Sequence, residues 1–314
     1  MKDNPRYTIA IPAFKGAYLK ACIDSVLGQT VHDYELIIVN DASPDPIDDI
    51  VNSFSDDRIK YYKNDRNYGA EHMVDNWNRC LELAKGTYFI LLGDDDLLEP
   101  NYLNVFDLLI EAYPDLDVFH CRAKIINETN ELIGITAPCP IFETVYDNMY
   151  YRLNLTRDQY ISDFVYKSNA LKSVGGFVKL PLGWGSDDIT SFIICGKKGI
   201  AYAHQAVFCY RQSHFTISNS GNISLKMKAI KEQEVWFNNW LKHKPVDPLE
   251  MVTYTKLLTS LPSFIKRKKL VLVHADFLKN ASVRRLYYWF KNRGHYQISF
   301  YDILRIYFSV KRLR

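Results

Sequence analysis

Asp94, Asp95 and Asp96 follow the apolar run Tyr88-Phe89-Ile90-Leu91-Leu92 with only Gly93 in between. Three carboxylates at the end of a core strand repel one another and resist desolvation, so they need a cation, a hydrogen-bonding neighbourhood or open water. A hard divalent ion carrying phosphates would satisfy them. So would an acidic, solvated turn that caps the next helix. A second acidic pair, Asp187-Asp188, closes the loop from Leu180 through Trp184, Gly185 and Ser186 and leads into an apolar helix predicted from Ile189 to about Cys195. A third polar stretch runs Tyr210-Arg211-Gln212-Ser213-His214. No GxxxxGK[ST] sequence occurs, which excludes a P-loop.

The elements that must position these residues follow from periodicity. Tyr7–Ile11, Glu35–Val39, Ile59–Lys63 and Tyr88–Leu92 read as short buried strands. Between them Leu19–Leu27, Ile47–Phe54 and about Ala70–Ala84 read as helices, and another follows Pro100 to near Tyr113. Strand alternating with helix predicts an open parallel sheet, whose ligands bind beyond the carboxyl ends of the strands. Those ends carry Pro12, Ala13 and Phe14, then Asn40 to Ser43, then Asn64 to Asn67, then the three aspartates. Downstream, Asp117–Cys121, Phe164–Lys167 and Ala201–Tyr210 predict strands, with Lys124–Asn127 continuing the first of them. Asn169–Val174 predicts a short helix, and residues 136 to 160 show no readable period.

The chain has 314 residues, 47% apolar and 14% aromatic, enough for a large α/β domain with an extension. Its net charge of +3 hides an asymmetry: residues 266 to 314 hold 13 Lys/Arg against 2 Asp/Glu, leaving 26 against 34 in the remainder. Six cysteines without CxxC spacing suggest reduced, buried thiols of a cytoplasmic protein. No apolar run approaches the ~20 residues of a membrane span. A soluble or peripheral cytoplasmic protein is the expectation.

In order and spacing, Ile11-Pro12-Ala13-Phe14, Val39-Asn40-Asp41-Ala42-Ser43, Arg66-Asn67-Tyr68-Gly69, the aspartate cluster, Val174-Gly175-Gly176-Phe177 and Ser186-Asp187-Asp188 resemble a family-2 glycosyltransferase of the GT-A fold. The resemblance implies an α/β GT-A domain over residues 1–222, with a nucleotide-sugar half at 1–100 and an acceptor half at 101–222. A helical basic extension would fill 223–314. It implies that Pro12, Ala13, Phe14, Asp41, Arg66, Asn67, Asp94, Asp95 and Arg211 bind a nucleotide-diphosphate sugar, expected to be UDP-linked. Phe14 would lie against the base and Asp41 would accept from its ring N–H. Mn²⁺ or Mg²⁺ would sit on Asp96 and Asp95, with His214 completing its shell. Gly93 stands where a commoner form of the motif begins with Asp, which leaves the register of the three aspartates open. Asp188 would be the base of an inverting transfer, Asp187 a ligand of the acceptor hydroxyl, and Trp184 with Gly185 part of the acceptor site. A helix-capping role for the Asp187-Asp188 pair stays open beside this.

The acceptor expected is a glycan or lipid-linked glycan. The basic residues of 266–314, interleaved with aromatics, suit an anionic membrane surface better than nucleic acid. A solvated helical face is the alternative, and homo-oligomerisation stays open. From another functional class, a catalytically inactive GT-A-like module recruited through its basic tail would carry the same motifs.

Overall fold

The strands that open the chain are apolar on both faces, as a parallel sheet covered by helices requires. Residues 4–213 and 222–313 are described by the structure, a computed structural model. The first of two compact units, Met1–Asn219, runs β1 (Tyr7–Ala13), α1 (Leu19–Leu27), β2 (Tyr34–Asn40), α2 (Ile47–Asn52), β3 (Ile59–Lys63), α3 (Met73–Leu83), β4 (Tyr88–Leu91), β5 (Leu97–Leu98) and α4 (Tyr102–Ala112). It continues with β6 (Val118–Ile126), β7 (Leu132–Ile135), β8 (Phe142–Glu143), α5 (Val145–Leu153), β9 (Phe164–Lys167), α6 (Ser168–Ser173), α7 (Ser186–Cys195) and β10 (Ile200–Arg211). One ten-stranded sheet results, in the order β3-β2-β1-β4-β9-β6-β10-β5, with β7 on β6 and β8 on β10 off that path.

The parallel half, β3-β2-β1-β4, places its strand ends side by side. Pro12 and Ala13 lie opposite Val39 and Asn40, and Ala10 lies opposite Leu91. Their carboxyl-end loops therefore emerge along one edge of the sheet. Strand β9 joins antiparallel between β4 and β6, while β6 and β10 are parallel. Burial at i, i+3, i+4 and i+7 in α1, at Leu19, Cys22, Ile23 and Val26, packs that helix on the core.

Three local features depart from the sequence reading. The chain after Asp96 does not pass directly into a helix: Leu97 and Leu98 pair antiparallel with Cys209 and Phe208. Glu99 N–H also donates to Val207 C=O at 2.9 Å, so the acidic loop is anchored to β10 before α4 begins. The segment 136–160 contains β8 and α5. Thr144 caps α5 by accepting from Asp147 N–H at 3.2 Å, and Val145, Met149 and Leu153 are buried one turn apart. Residues 118–126 form the continued strand the sequence predicts, and the departure there is β7, which folds back on it.

The second unit, Ser220–Arg314, is helical where described: α8 (Ile223–Trp240), α9 (Pro248–Lys279), α10 (Val283–Tyr296) and α11 (Phe300–Leu313). Asp247 caps α9, accepting from Leu249 and Glu250 N–H at 2.7 and 3.2 Å. Near the end of α9, Asp276 accepts from the guanidinium of Arg285 and from Trp289 Nε1 at 2.8 Å, which docks α10 around a fully buried indole. Among the described residues no helix is long and apolar enough to cross a membrane. The six cysteines are free and buried.

Gly86 shows how tightly β1 and the turn before β4 are joined. A Cβ there would stand 2.4 Å from Thr8 N and 2.5 Å from the Tyr7 carbonyl carbon. Both are backbone atoms, so relief requires moving β1. Gly86→Ala is expected to destabilise the chain by about 3 kcal/mol, measured by urea unfolding. A loss below about 0.5 kcal/mol would show that β1 yields at this point.

Candidate active site

The aspartate loop is built from three directions. Asp94 Oδ2 accepts from the amides of Phe14 and Lys15, 2.7 Å each, just beyond β1. Asp96 Oδ1 accepts from Arg211 N–H at 2.9 Å, the last residue of β10, and its Oδ2 accepts from Ser162 Oγ at 2.9 Å. Gly93 fits between these groups because it has no side chain: a Cβ would meet Asp96 Oδ2 at 2.8 Å. Asp94 and Asp96 are buried, whereas Asp95 is partly exposed and has Lys15 Nζ 3.4 Å away. Burial, reinforced by the charge of Asp95, pushes Asp94 up to about 6 against its two amide hydrogen bonds. The same two causes raise Asp96 well above the carboxylate range.

Arg211 organises this loop from beneath. Its Nε donates to Asp95 C=O at 2.7 Å, its Nη1 to Asn127 C=O at 2.9 Å, and its guanidinium lies 4.1 Å from the Tyr18 ring centroid. The side chain is 1% exposed, and Nη2 finds no hydrogen-bond partner among the described residues.

A second network joins the ends of β2 and β3. Asp41 N–H donates to Ala13 C=O at 2.9 Å. Its carboxylate accepts from Asn64 Nδ2 at 2.8 Å and from Tyr68 N–H at 3.0 Å, so it shapes the loop holding Arg66 and Asn67, both exposed. Asn40 is buried and turns inward, donating to Tyr61 Oη at 2.8 Å and accepting from Ser43 N–H at 2.9 Å. Phe14 projects with 42% of its surface exposed, and Ser43 Oγ donates to its carbonyl. The nucleotide-side residues thus occupy one edge of the sheet.

At the start of α7, Gly185 takes φ 83° and serves as the N-cap. Ser186 then opens the helix, and Asp187 and Asp188 fall in its first turn rather than at the cap. Asp188 Oδ1 accepts from Arg152 Nε at 2.8 Å, and its Oδ2 makes no hydrogen bond among the described residues. Arg152, on α5, also donates through Nη1 to Arg157 C=O at 3.0 Å. Burial opposes its charge, but Asp188, Asp187 and Asp163 raise its pKa. The residues that grip it are themselves braced: Arg157 pairs with buried Glu143, which accepts from Asn148 Nδ2 at 3.1 Å, and Gln159 Nε2 donates to Asn148 Oδ1 at 3.1 Å. Trp184 is partly buried in the loop ahead of α7.

The turn Ile161–Asp163 links the two acidic groups. Ser162 faces the aspartate loop, accepting from Gly93 N–H at 3.0 Å while donating to Asp96. Asp163, the next residue, is wholly buried near Arg152, Asp187 and Asp188. Its Oδ2 accepts from Tyr160 N–H at 3.1 Å and its Oδ1 has no partner among the described residues. Burial raises its pKa well above the usual range despite the Arg152 charge. Sequence reasoning missed Arg152, Ser162 and Asp163. Arg152 was within reach, since the Thr144-to-Asp147 capping signal locates α5; Ser162 and Asp163 carry no comparable signal.

Among the described residues no three metal-ligating side chains assemble into a cluster, and His214 lies outside them. What the loop does offer suits a hard ion carried by substrate phosphates: one partly exposed carboxylate, Asp95, on a rigid backbone.

The sheet order, with the acidic loop at the end of β4, is that of a GT-A fold. The solved structures agree. Staphylococcus aureus TarS 1–349 in complex with UDP-GlcNAc superposes with a TM-score of 0.64 at 14% identity, covering 98% of this chain and 90% of that one. The mannosyltransferase PcManGT of Pyrobaculum calidifontis, in complex with GDP-Man and Mn²⁺, gives 0.55 at 15%, covering 99% and 87%. The chain belongs to glycosyl transferase family 2, whose model matches residues 8–174. Curated relatives include an uncharacterised glycosyltransferase of Rickettsia typhi, 32% identical over 143 residues, 44% of this chain and 43% of that protein. The putative colanic acid biosynthesis glycosyl transferase WcaA of Escherichia coli K12 is 32% identical over 140 residues, 42% and 49% respectively. The chain thus matches less than half the length of either relative.

A buried acid with a raised pKa holds its proton in the folded chain after the unfolded chain has released it. Stability from Asp163 therefore falls as pH rises above the ordinary Asp range, near 3.9, through its raised value. Asp163→Asn keeps an acceptor for Tyr160 N–H and removes that dependence. Relative to wild type, the variant is expected to gain stability between about pH 4 and pH 7, read by urea unfolding at each pH. A difference that stays constant or reverses would show Asp163 ionised and stabilised by Arg152.

Proposed function

We propose that the chain transfers a sugar from a nucleotide-diphosphate sugar, UDP-linked in the first instance, to a hydroxyl of a glycan or lipid-linked glycan, with inversion at the sugar carbon. One observation carries this reading: Asp95 is held at the open face of a loop whose neighbours are pinned inward by amides from β1 and β10. The Ile161–Asp163 turn joins that loop to a helix start bearing an ion-paired carboxylate. The bound sugar nucleotides of the two structural neighbours support the donor class.

In this reading Phe14 packs against the base, and Asp41 positions the loop of Arg66 and Asn67 while offering its remaining acceptor capacity to the base. Asp95 is the residue that would hold Mn²⁺ or Mg²⁺, with Asp96 and Asp94 fixing its backbone. When bound, the ion would offset the negative charge on the departing diphosphate. Arg211 acts by holding the Asp95 carbonyl.

Trp184 and Asp187 orient the acceptor. As its oxygen attacks the sugar carbon from the face opposite the diphosphate, the carbon–oxygen bond to the donor breaks, and the hydroxyl proton passes to Asp188 Oδ2. Arg152 orients Asp188 for that step through its contact with Oδ1. The setting we assign is the cytoplasmic side of a membrane, where such acceptors are extended.

The test is a panel of sugar nucleotides scored by thermal shift and calorimetry with and without Mn²⁺, followed by transfer assays on the donor that binds. Asp188→Asn is expected to bind that donor within about twofold of wild type and to lose about 10²–10⁴-fold in transfer. Asp95→Asn should lose the Mn²⁺-dependent part of donor affinity, about tenfold. Full turnover by Asp188→Asn would remove it as the base. No binding to any nucleotide diphosphate would overturn the reading as a whole.

A further inference from the structure

The second unit carries a surface that the transfer chemistry does not use. Along α9, Lys266, Arg267, Leu270 and Val271 lie at successive helical turns, and with Arg305 and Ile306 of α11 they line a groove of about 450 Å³. Its floor is aliphatic and its rim is cationic. The groove continues onto α11, where Tyr301, Arg305, Phe308 and Arg312 recur every three or four residues and form one stripe. Tyr301 is 72% and Phe308 55% exposed, while the opposite face, with Ile303, Tyr307 and Val310, is buried.

Charge on this face is lopsided. Residues 266 to 314 contain two acidic side chains, and neither opposes the rim from outside. Asp276 is held by Arg285 and Trp289. Asp302 is buried beneath the groove, with Lys266 Nζ at 2.9 Å and Arg305 Nη2 at 3.8 Å. Asp302 thus meets Lys266 and Arg305, and the cationic side chains of this face, Arg312 among them, stand beside exposed apolar ones.

We propose that this α9–α11 face binds the surface of a membrane containing anionic phospholipid. Phosphate headgroups meet the Lys and Arg rim, and Tyr301, Phe308 and Val271 enter the boundary with the acyl chains. Nucleic acid would answer the charge, and Tyr301 and Phe308 could stack on bases, but exposed Val271 and half-buried Leu270 beside them offer a base no flat face. The apolar half of the surface is matched by lipid. This inference deepens the membrane setting of the transfer reading, and because it is tested without any sugar nucleotide its failure would leave the transfer itself standing.

The experiment is co-sedimentation of the full chain with phosphatidylcholine vesicles made with and without phosphatidylglycerol, at several salt concentrations. Binding is expected only with the anionic lipid and is expected to weaken with salt. Arg305→Gln with Arg312→Gln should reduce partitioning about tenfold or more. Tyr301→Ser with Phe308→Ser should reduce it by a similar factor, about tenfold, and the loss should persist at high salt. All four positions are exposed, so an unchanged melting temperature and far-UV spectrum accompany these losses if the surface is the cause. Equal binding to neutral vesicles, wild-type binding by both double variants, or displacement from vesicles by stoichiometric single-stranded DNA would each overturn the proposal.

Discussion

The unit described by β1 to β10 depends on burying two carboxylates beside a third that stays partly open. Removing a carboxylate from water costs several kcal/mol, and Asp94 and Asp96 recover that cost only through donors fixed by the backbone. The donors are the N–H groups of Phe14, Lys15 and Arg211 and the hydroxyl of Ser162, which belong to three separate chain segments. Compensation is incomplete, as the elevation of Asp94 to about 6 shows, worth roughly 3 kcal/mol of preference for the protonated form. A loop under that tension holds its shape only if β1, β4 and β10 end in register. The pairing of Leu97–Leu98 with β10 and the absence of a side chain at Gly93 meet that demand locally.

The Ile161–Asp163 turn carries the constraint across the sheet. Ser162 is donor to one acidic group and Asp163 is a neighbour of the other, so the distance between Asp95 and Asp188 is set by two consecutive residues and not by a flexible loop. The turn is itself held by β9, which follows it directly between β4 and β6, and by stacking of Tyr160 on Tyr210 at 4.0 Å. In the inverting transfer proposed above, the leaving group and the base would face opposite sides of one sugar carbon. A fixed spacing would serve that geometry.

The alternation of strand and helix through residue 113 was legible because each element is a run of apolar residues with a clear period, and polar groups collect where each run stops. The candidate site was legible to the same depth: Asp41, Asp94 to Asp96, Asp188 and Arg211 all stand next to such runs. What the sequence did not disclose is how those groups divide their work. Asp95 and Asp96 are chemically identical, and only the direction of the backbone after Gly93 decides which one is buried. Arg211 reads as a phosphate ligand by charge alone, yet it is directed at main-chain carbonyls by the pairing of β10 with β5 and β6. The segment 136–160 hid Arg152 because the apolar period of α5, Val145, Met149 and Leu153, is short and interleaved with buried polar residues, Glu143, Asn148, Arg157 and Gln159, that bond to one another in the interior.

The two acidic groups differ in where their positive charge comes from. Among the carboxylates Asp163, Asp187 and Asp188, Arg152 is in direct contact with Asp188, and all three raise its own pKa against its burial. Burial of Asp163 raises its pKa well above the carboxylate range despite that guanidinium. At the aspartate loop the charged contact among the described residues is a peripheral one. Lys15 stands 3.4 Å from Asp95 at the rim, and the guanidinium of Arg211 is engaged by carbonyl oxygens. In the proposed transfer the first arrangement would suit a proton acceptor and the second an ion brought with the phosphates, and the fold sets Ser162 and Asp163 back to back between them.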